Sequence, residues 1–232
     1  CVIIPTFWTG RRGRVPDDLL SVYDHPTPVD SDGTLPACLS SLQSVEGLGT
    51  VVLVVAGTES SIEHQAEDRV RDILSDFPDL DALVFGPAEM GSLNRRLEQL
   101  EFVDMVPGVS LNGYGAVRNL GLIVAGVLGC DRVVFVDDDQ VIADPSFLKR
   151  AVDGLGARLQ DGRYVLAKSG YYTDVDGRYQ RHTTPHWSDM FWRQNDAFNQ
   201  ALAAVDAPPR IRASSLAFGG CLALDKDMVM NV

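Results

Sequence analysis

Cysteine is scarce, 4 in 232 residues, and Cys1, Cys38, Cys130 and Cys221 form no Cys-x-x-Cys pair. That spacing excludes a disulfide scaffold, a zinc knuckle and a dithiol redox motif, and it suits reduced thiols in a cytoplasmic protein. Basic residues are also few: 20 Lys and Arg face 32 Asp and Glu, a net charge of −12. A chain that coats nucleic acid needs clustered cations to neutralise phosphates, so no nucleic-acid partner is expected. The longest nearly apolar run, Leu120 to Cys130, is about half of what a bilayer requires, and no membrane span is expected in this segment. No P-loop and no Gly-x-Ser-x-Gly elbow occurs. Gly113-x-Gly115 begins a dinucleotide fingerprint but lacks its third glycine and follows no apolar strand.

What is present is enough apolar residue, 45%, to fill a core, arranged as alternating strand and helix patterns. Val2 to Ile4, ended by Pro5, reads as a short strand, and residues 8 to 34 as a long polar connection. Leu35 to Leu48 has helical spacing, and Val51 to Val55 is the continuous β-branched run of a strand covered on both faces. Ile62 to Phe77 reads as an amphipathic helix, Leu83 to Phe85 as a strand, Leu93 to Leu100 as a possible helix, and Tyr114 to Leu128 as another helix. Arg132 to Val136 is a strand that runs directly into Asp137-Asp138-Asp139. Asp144-Pro145 should open a helix extending to Leu159, and Asp174-Val175-Asp176-Gly177 should turn a hairpin between Tyr164–Thr173 and Arg178–Arg181. Ser188 could cap a helix reaching Val205. The expectation is an α/β fold, a Rossmann-like, mostly parallel sheet with helices on both faces and a mixed second half.

The acidic triplet is the most informative feature. In open α/β sheets ligands bind beyond the C-terminal ends of strands, and Val133 to Val136 delivers three carboxylates to that edge. Like charges so close repel unless a cation offsets them. Hard oxygen donors suit Mg²⁺ or Mn²⁺, ions that keep waters and bridge to phosphates. The expectation is a divalent cation, Mn²⁺ or Mg²⁺, beside a diphosphate; a solvated acidic turn is the plain alternative.

Asn112-Gly113-Tyr114-Gly115-Ala116-Val117-Arg118-Asn119-Leu120-Gly121-Leu122, then Ala125-Gly126 and Val133 to Asp139, resembles the nucleotide-sugar-binding half of family 2 glycosyltransferases, which have the GT-A fold. Val2-Ile3-Ile4-Pro5-Thr6 is similar to that family's first strand and nucleotide loop, Leu35-x-x-Cys38-Leu39-x-Ser41-Leu42 to its first helix, and Ala217-Phe218-Gly219-Gly220-Cys221 to its acceptor-side Gly-Gly motif. The resemblance implies a nucleoside-diphosphate-sugar donor of the UDP or GDP type and a hydroxyl acceptor, a saccharide or small molecule. It implies that Asp137 and Asp139 form an Asp-x-Asp pair, with Asp139 a direct cation ligand and Asp137 or Asp138 holding the ribose or the metal through water. Pro5 and Thr6 would face the base, and Arg118 the nucleotide or its phosphates. Gly219, Gly220 and Trp187 would lie on the acceptor side.

The sequence departs from this pattern in places. After the second strand, where the family carries acidic residues that read the base, stand Ala56-Gly57-Thr58-Glu59, leaving Glu59 as a weak substitute. The family's catalytic base is expected beyond Val232, so none is assigned; Asp189 is the fallback. The opening Cys1-Val2-Ile3-Ile4 without Met suggests an excerpt of a longer protein, with residues 1–140 as the donor half of a single domain and 141–232 as an incomplete acceptor half. Regions outside it could attach the protein to a membrane. His182 and His186 invite a zinc reading, but Pro185 between them opposes a helix and no third ligand is evident. A sugar-nucleotide nucleotidyltransferase and a non-catalytic nucleotide-sugar-binding module are the rival functions.

Overall fold

The computed structural model of the chain describes residues 1–10, 26–180, 190, 193–206, 213–214 and 217–230. Its centre is a 7-stranded sheet ordered β4-β3-β1-β5-β7-β6, with β2 attached to β1. The strands are β1 (Val2–Thr9), β2 (Thr27–Pro28), β3 (Val51–Gly57), β4 (Ala82–Phe85), β5 (Arg132–Val136), β6 (Ala167–Ser169) and β7 (Cys221–Asp225). β4, β3, β1, β5 and the short β2 run parallel. β7 is antiparallel to β5, and β6 is antiparallel to β7. The α/β architecture with a mostly parallel sheet and a mixed second half is therefore as expected.

Helices cover both faces. On one, α1 (Leu35–Leu42), α2 (Glu63–Ser75) and α5 (Phe147–Val152) pack Leu39, Val70 and Leu148 onto Val2, Ile4, Leu53 and Val134. On the other, α3 (Pro87–Gln99), α4 (Tyr114–Val127) and α7 (Lys226–Val229) pack Met90, Leu120 and Val229 onto Ile3, Val52, Val54 and Phe135. Alternate residues of one strand thus feed two cores, which is why β1 and β3 are apolar without interruption. Each fully buried Val, Ile or Leu side chain contributes about 1.5–3 kcal/mol relative to exposure. α6 (Gln194–Asp206) lies on the second half of the chain. No described helix is long and apolar enough to cross a membrane.

Several elements differ from the expectation, each for a physical reason. β1 does not stop at Pro5 but continues to Thr9. Val2 and Trp8 exchange backbone bonds with the β3 side, whereas Cys1 and Thr9 accept from β5 and β2, so odd positions face away from β3. Pairing of β1 with β5 ends at Ile3 opposite Phe135. Pro5 therefore turns its missing donor toward a side from which the partner strand has already departed, and no ladder bond is lost.

α1 ends at Leu42 rather than Leu48, and Gly47, at φ +72°, lies in the turn that follows it. α3 starts at Pro87, well before Leu93, because the Glu89 carboxylate accepts from the Gly86 N–H at 3.0 Å and closes the first turn. α5 is far shorter than a helix to Leu159. Asp144 accepts from the Ser146 amide at 2.9 Å and hydroxyl at 2.8 Å ahead of the helix, and Gly154 and Gly156, at φ +76° and +79°, end the segment. The turn at Asp174 to Gly177 is present, with the Asp174 carbonyl accepting from the Gly177 amide at 3.0 Å and the Asp174 amide donating to the Arg178 carbonyl at 2.8 Å, but among the described residues no strand ladder continues from it. Ala167–Ser169 pairs instead with β7, whose apolar residues offer a partner that the polar segment after Gly177 does not. Ser188 lies outside the described residues.

α4 sits unusually close to the sheet at Gly121. A Cβ there would come within 2.6 Å of the Ile3 Cγ2 atom and 3.4 Å of the Phe135 ring. Ile3 is fully buried and branched, so it cannot swing aside. Gly121→Val is expected to destabilise the fold by roughly 2 kcal/mol, since overpacking outweighs the small gain in helix propensity. Denaturant unfolding measures this, and an unchanged midpoint would contradict the close approach.

Candidate functional site

The strand order reverses direction at β1: the chain moves outward through β3 and β4, then crosses back to place β5 on the other side. Beyond such a switch point the loops leave in opposite directions and open a crevice. Here the crevice begins within the sheet, because β1 continues for six residues after its last pairing with β5. Asp137, Asp138 and Asp139 emerge into that split.

Side-chain alternation sends the carboxylates to different partners. Asp137 faces the α4 side and pairs with the Arg118 Nη2 at 2.6 Å. Asp138 faces the α1 side and accepts from the Thr6 hydroxyl at 2.6 Å. Asp139 is exposed and makes no hydrogen bond or ion pair among the described residues. Burial pushes the Asp138 carboxyl up to about 6, and the negative charges of Asp139 and Asp137 push the same way against the opposing Thr6 bond. Beneath them the Cys38 thiol points at the Asp137 carbonyl oxygen, 3.7 Å away. Burial, then Asp138, Asp139 and Asp137, push it up to about 12, which holds Cys38 as a neutral thiol at pH 7.

Arg118 is held from several directions. Gly113 precedes α4 at φ +93°, a conformation side chains oppose, and starts the helix so that Tyr114 and Arg118 lie one turn apart on the same face. The Arg118 guanidinium carbon lies 3.6 Å from the Tyr114 ring centroid, and Tyr114 stacks on Phe7 at 6.3 Å. Its Nε and Nη1 are buried and carry no hydrogen bond among the described residues.

Gly219 and Gly220 close over this pair. A Cβ on Gly219 would meet the Tyr114 hydroxyl at 2.8 Å and the Arg118 Nε at 2.9 Å, and one on Gly220 would overlap the Asp137 carboxylate and the Gln140 amide. Both glycines thus make room for the Arg118–Asp137 pair. The loop beyond the triplet is tied to α1 where the Ile142 amide donates to the Ser41 hydroxyl at 3.0 Å.

The structure therefore brings together Thr6, Arg118, Asp137, Asp138, Asp139, Gly219 and Gly220. Pro5 lies in β1 one residue before Thr6, and Glu59 is exposed just past β3, accepting from the Ser61 hydroxyl at 3.3 Å. Trp187, Asp189, His182 and His186 lie outside the described residues. Sequence reasoning missed Tyr114, Phe7 and Cys38 as neighbours of the site; the four-residue step from Tyr114 to Arg118 was the available signal.

Among the described residues no three His, Cys, Asp or Glu side chains group as a metal cage. Asp137 and Asp138 are turned to protein partners, while Asp139 is free. That donor set fits a hard cation that takes one or two carboxylates and completes its shell with water and ligand oxygens.

No protein-family model matches the chain, and no curated protein matches it. Solved structures that match include glucosyl-3-phosphoglycerate synthase from Mycobacterium tuberculosis in complex with uridine diphosphate, at 14% identity and TM-score 0.40, covering 98% of this chain and 56% of that one. Mouse xyloside xylosyltransferase 1 in its apo form matches at 10% identity and TM-score 0.45, with 99% and 67% covered. A second structure of the M. tuberculosis synthase matches at 12% identity and TM-score 0.38, with 98% and 58% covered. The chain thus spans little more than half the length of the synthase. At these scores the fold rests on the strand order and cores described above.

Asp138 generates a pH prediction. Folded, it holds its proton up to about pH 6; unfolded, the reference value is 3.8. The folded chain binds this proton more tightly, so the contribution of Asp138 to stability is fully present at low pH and is lost as pH rises through that window. Asp138→Asn keeps an acceptor for Thr6 and removes the charge. In chelator-containing buffer it is expected to be more stable than the parent at pH 7, with the difference shrinking toward pH 4. Equal denaturation midpoints at pH 7 would contradict the burial of this carboxylate.

Proposed function

We propose that the chain is a metal-dependent glycosyltransferase of the GT-A type, similar to family 2, that moves a hexose from a UDP- or GDP-sugar to a hydroxyl acceptor with inversion. The observation that carries this reading is the convergence of Thr6, Arg118 and the three carboxylates in the split between β1 and β5, roofed by Gly219 and Gly220. These are the residues on which the family resemblance rests, drawn from segments far apart in the chain.

In this reading residues 1–140 hold the donor and 141–232 begin the acceptor side of one domain, in the cytoplasm. Asp139, with Asp137 beside it, would hold Mn²⁺ or Mg²⁺. When bound, such an ion neutralises a diphosphate and favours its departure. The chain's own groups do the orienting. Arg118 fixes Asp137 and adds positive charge next to the site, and the Thr6 hydroxyl fixes Asp138. The backbone of β1 around Pro5 and Thr6 borders the place of the base, with Glu59 further along the same edge. No general base is assigned.

Calorimetric titration of the chain with UDP and with GDP, with and without Mn²⁺, tests the reading. One of the two nucleotides is expected to bind only weakly without the ion and at least about tenfold more tightly with it, and Asp139→Ala is expected to abolish that gain. An Asp139→Ala protein that binds nucleotide and Mn²⁺ like the parent would sink the assignment. Release of free nucleoside diphosphate from a sugar nucleotide, in place of pyrophosphate, separates a transferase from a nucleotidyltransferase.

A further inference from the structure

The Gly219–Gly220 turn has an aromatic neighbour that the sequence motif did not suggest. The β6–β7 register runs from Ala167 opposite Leu224 to Ser169 opposite Leu222, and the Gly170 amide prolongs it by donating to the Cys221 carbonyl at 2.8 Å. Beyond Gly170 the pairing stops, and Tyr172 reaches the turn through its ring, which meets that of Phe218. On the other flank β5 pairs with β7 up to Val136 opposite Cys221, which sets Asp137 level with Gly220. Tyr172, through its contact with Phe218, and Asp137, against Gly220, therefore both border this turn.

Tyr172 is built into this place. Its ring meets Phe218 edge-on, at 5.8 Å and 77°, and Phe218 meets Phe198 in the same manner at 5.6 Å and 82°. Phe218 is anchored to the end of β6, where its amide donates to the Ser169 hydroxyl at 2.8 Å. Tyr172 is 45% exposed, so the contact with Phe218 leaves part of it open to solvent. The Tyr114 hydroxyl borders the same turn, since a Cβ on Gly219 would meet it at 2.8 Å. An exposed aromatic residue edged by Phe218, with the Tyr114 hydroxyl and Asp137 at the adjoining glycine turn, combines an apolar surface with polar groups at one end.

We propose that Tyr172, edged by Phe218, is the shelf on which a ring with an apolar face and a free hydroxyl docks, its hydroxyl directed toward Tyr114 and Asp137. The C–H face of a pyranose and an aryl ring share this chemistry. That the ring is an acceptor rests on the glycosyl-transfer reading; that it binds at Tyr172 does not.

Saturation-transfer NMR on the full chain tests the shelf with three probes: methyl β-glucopyranoside, 4-nitrophenol and phenyl β-glucopyranoside. At least one single-ring probe is expected to receive saturation and to be displaced by phenyl β-glucopyranoside. Tyr172→Ala is expected to weaken that binding about tenfold and Tyr172→Phe to retain it, the scale of one stacked ring. UDP and GDP titrations with Mn²⁺ are expected to be unaltered in both variants. The single-ring probe that binds identifies the source of the ring. Absence of binding by all three probes, or undiminished binding by Tyr172→Ala, overturns the proposal. Ring binding without any nucleotide binding would leave the shelf standing and remove the transferase reading.

Discussion

Three adjacent carboxylates at the end of a buried strand are the constraint around which the rest is arranged. Two unit charges about 4 Å apart near a protein surface interact by roughly 4 kcal/mol, a large share of a domain's net stability. The fold meets this by separating the three. Strand alternation turns Asp137 to α4 and Asp138 to α1, and leaves Asp139 in water. Each of the two partly buried members then receives one donor, Arg118 for Asp137 and Thr6 for Asp138.

Those donors have demands of their own. Thr6 is at hand only because β1 continues past Pro5, which is tolerated because β5 has already diverged. Arg118 is at hand only because α4 lies low on the sheet at Gly121 and begins sharply at Gly113. The ion pair is then covered by a turn that has no side chains to place there, Gly219–Gly220. A glycine pair assigned from sequence to the acceptor side is thus what accommodates the Arg118–Asp137 pair.

Much of the fold was legible beforehand. Uninterrupted β-branched runs at Val51 to Val55 and Arg132 to Val136 could only be strands covered on both faces, and amphipathic spacing located α2 and α4 to within a residue or two. What failed was governed by partners rather than by local preference. Pro5 ended a strand on paper because its neighbour's departure cannot be read from β1. The helix after Asp144 looked long because Gly154 and Gly156 declare their left-handed backbone only in the folded chain. The turn signal at Gly177 located a turn but not the partner of the segment before it, of which Ala167–Ser169 pairs with β7.

The sequence by itself determined the α/β alternation, the strand that ends in Asp137 to Asp139, and the residue types able to hold a cation and a diphosphate, since these depend on periodicity and on side-chain chemistry. Only the tertiary structure decided which carboxylate is paired, which is strained upward in pKa and which is free. It also decided that Tyr114 carries Arg118 and that Tyr172 and Asp137 border the same glycine turn. Those facts follow from where β1 and β5 part and from how closely α4 approaches the sheet, distances between segments remote in the chain that no local pattern encodes.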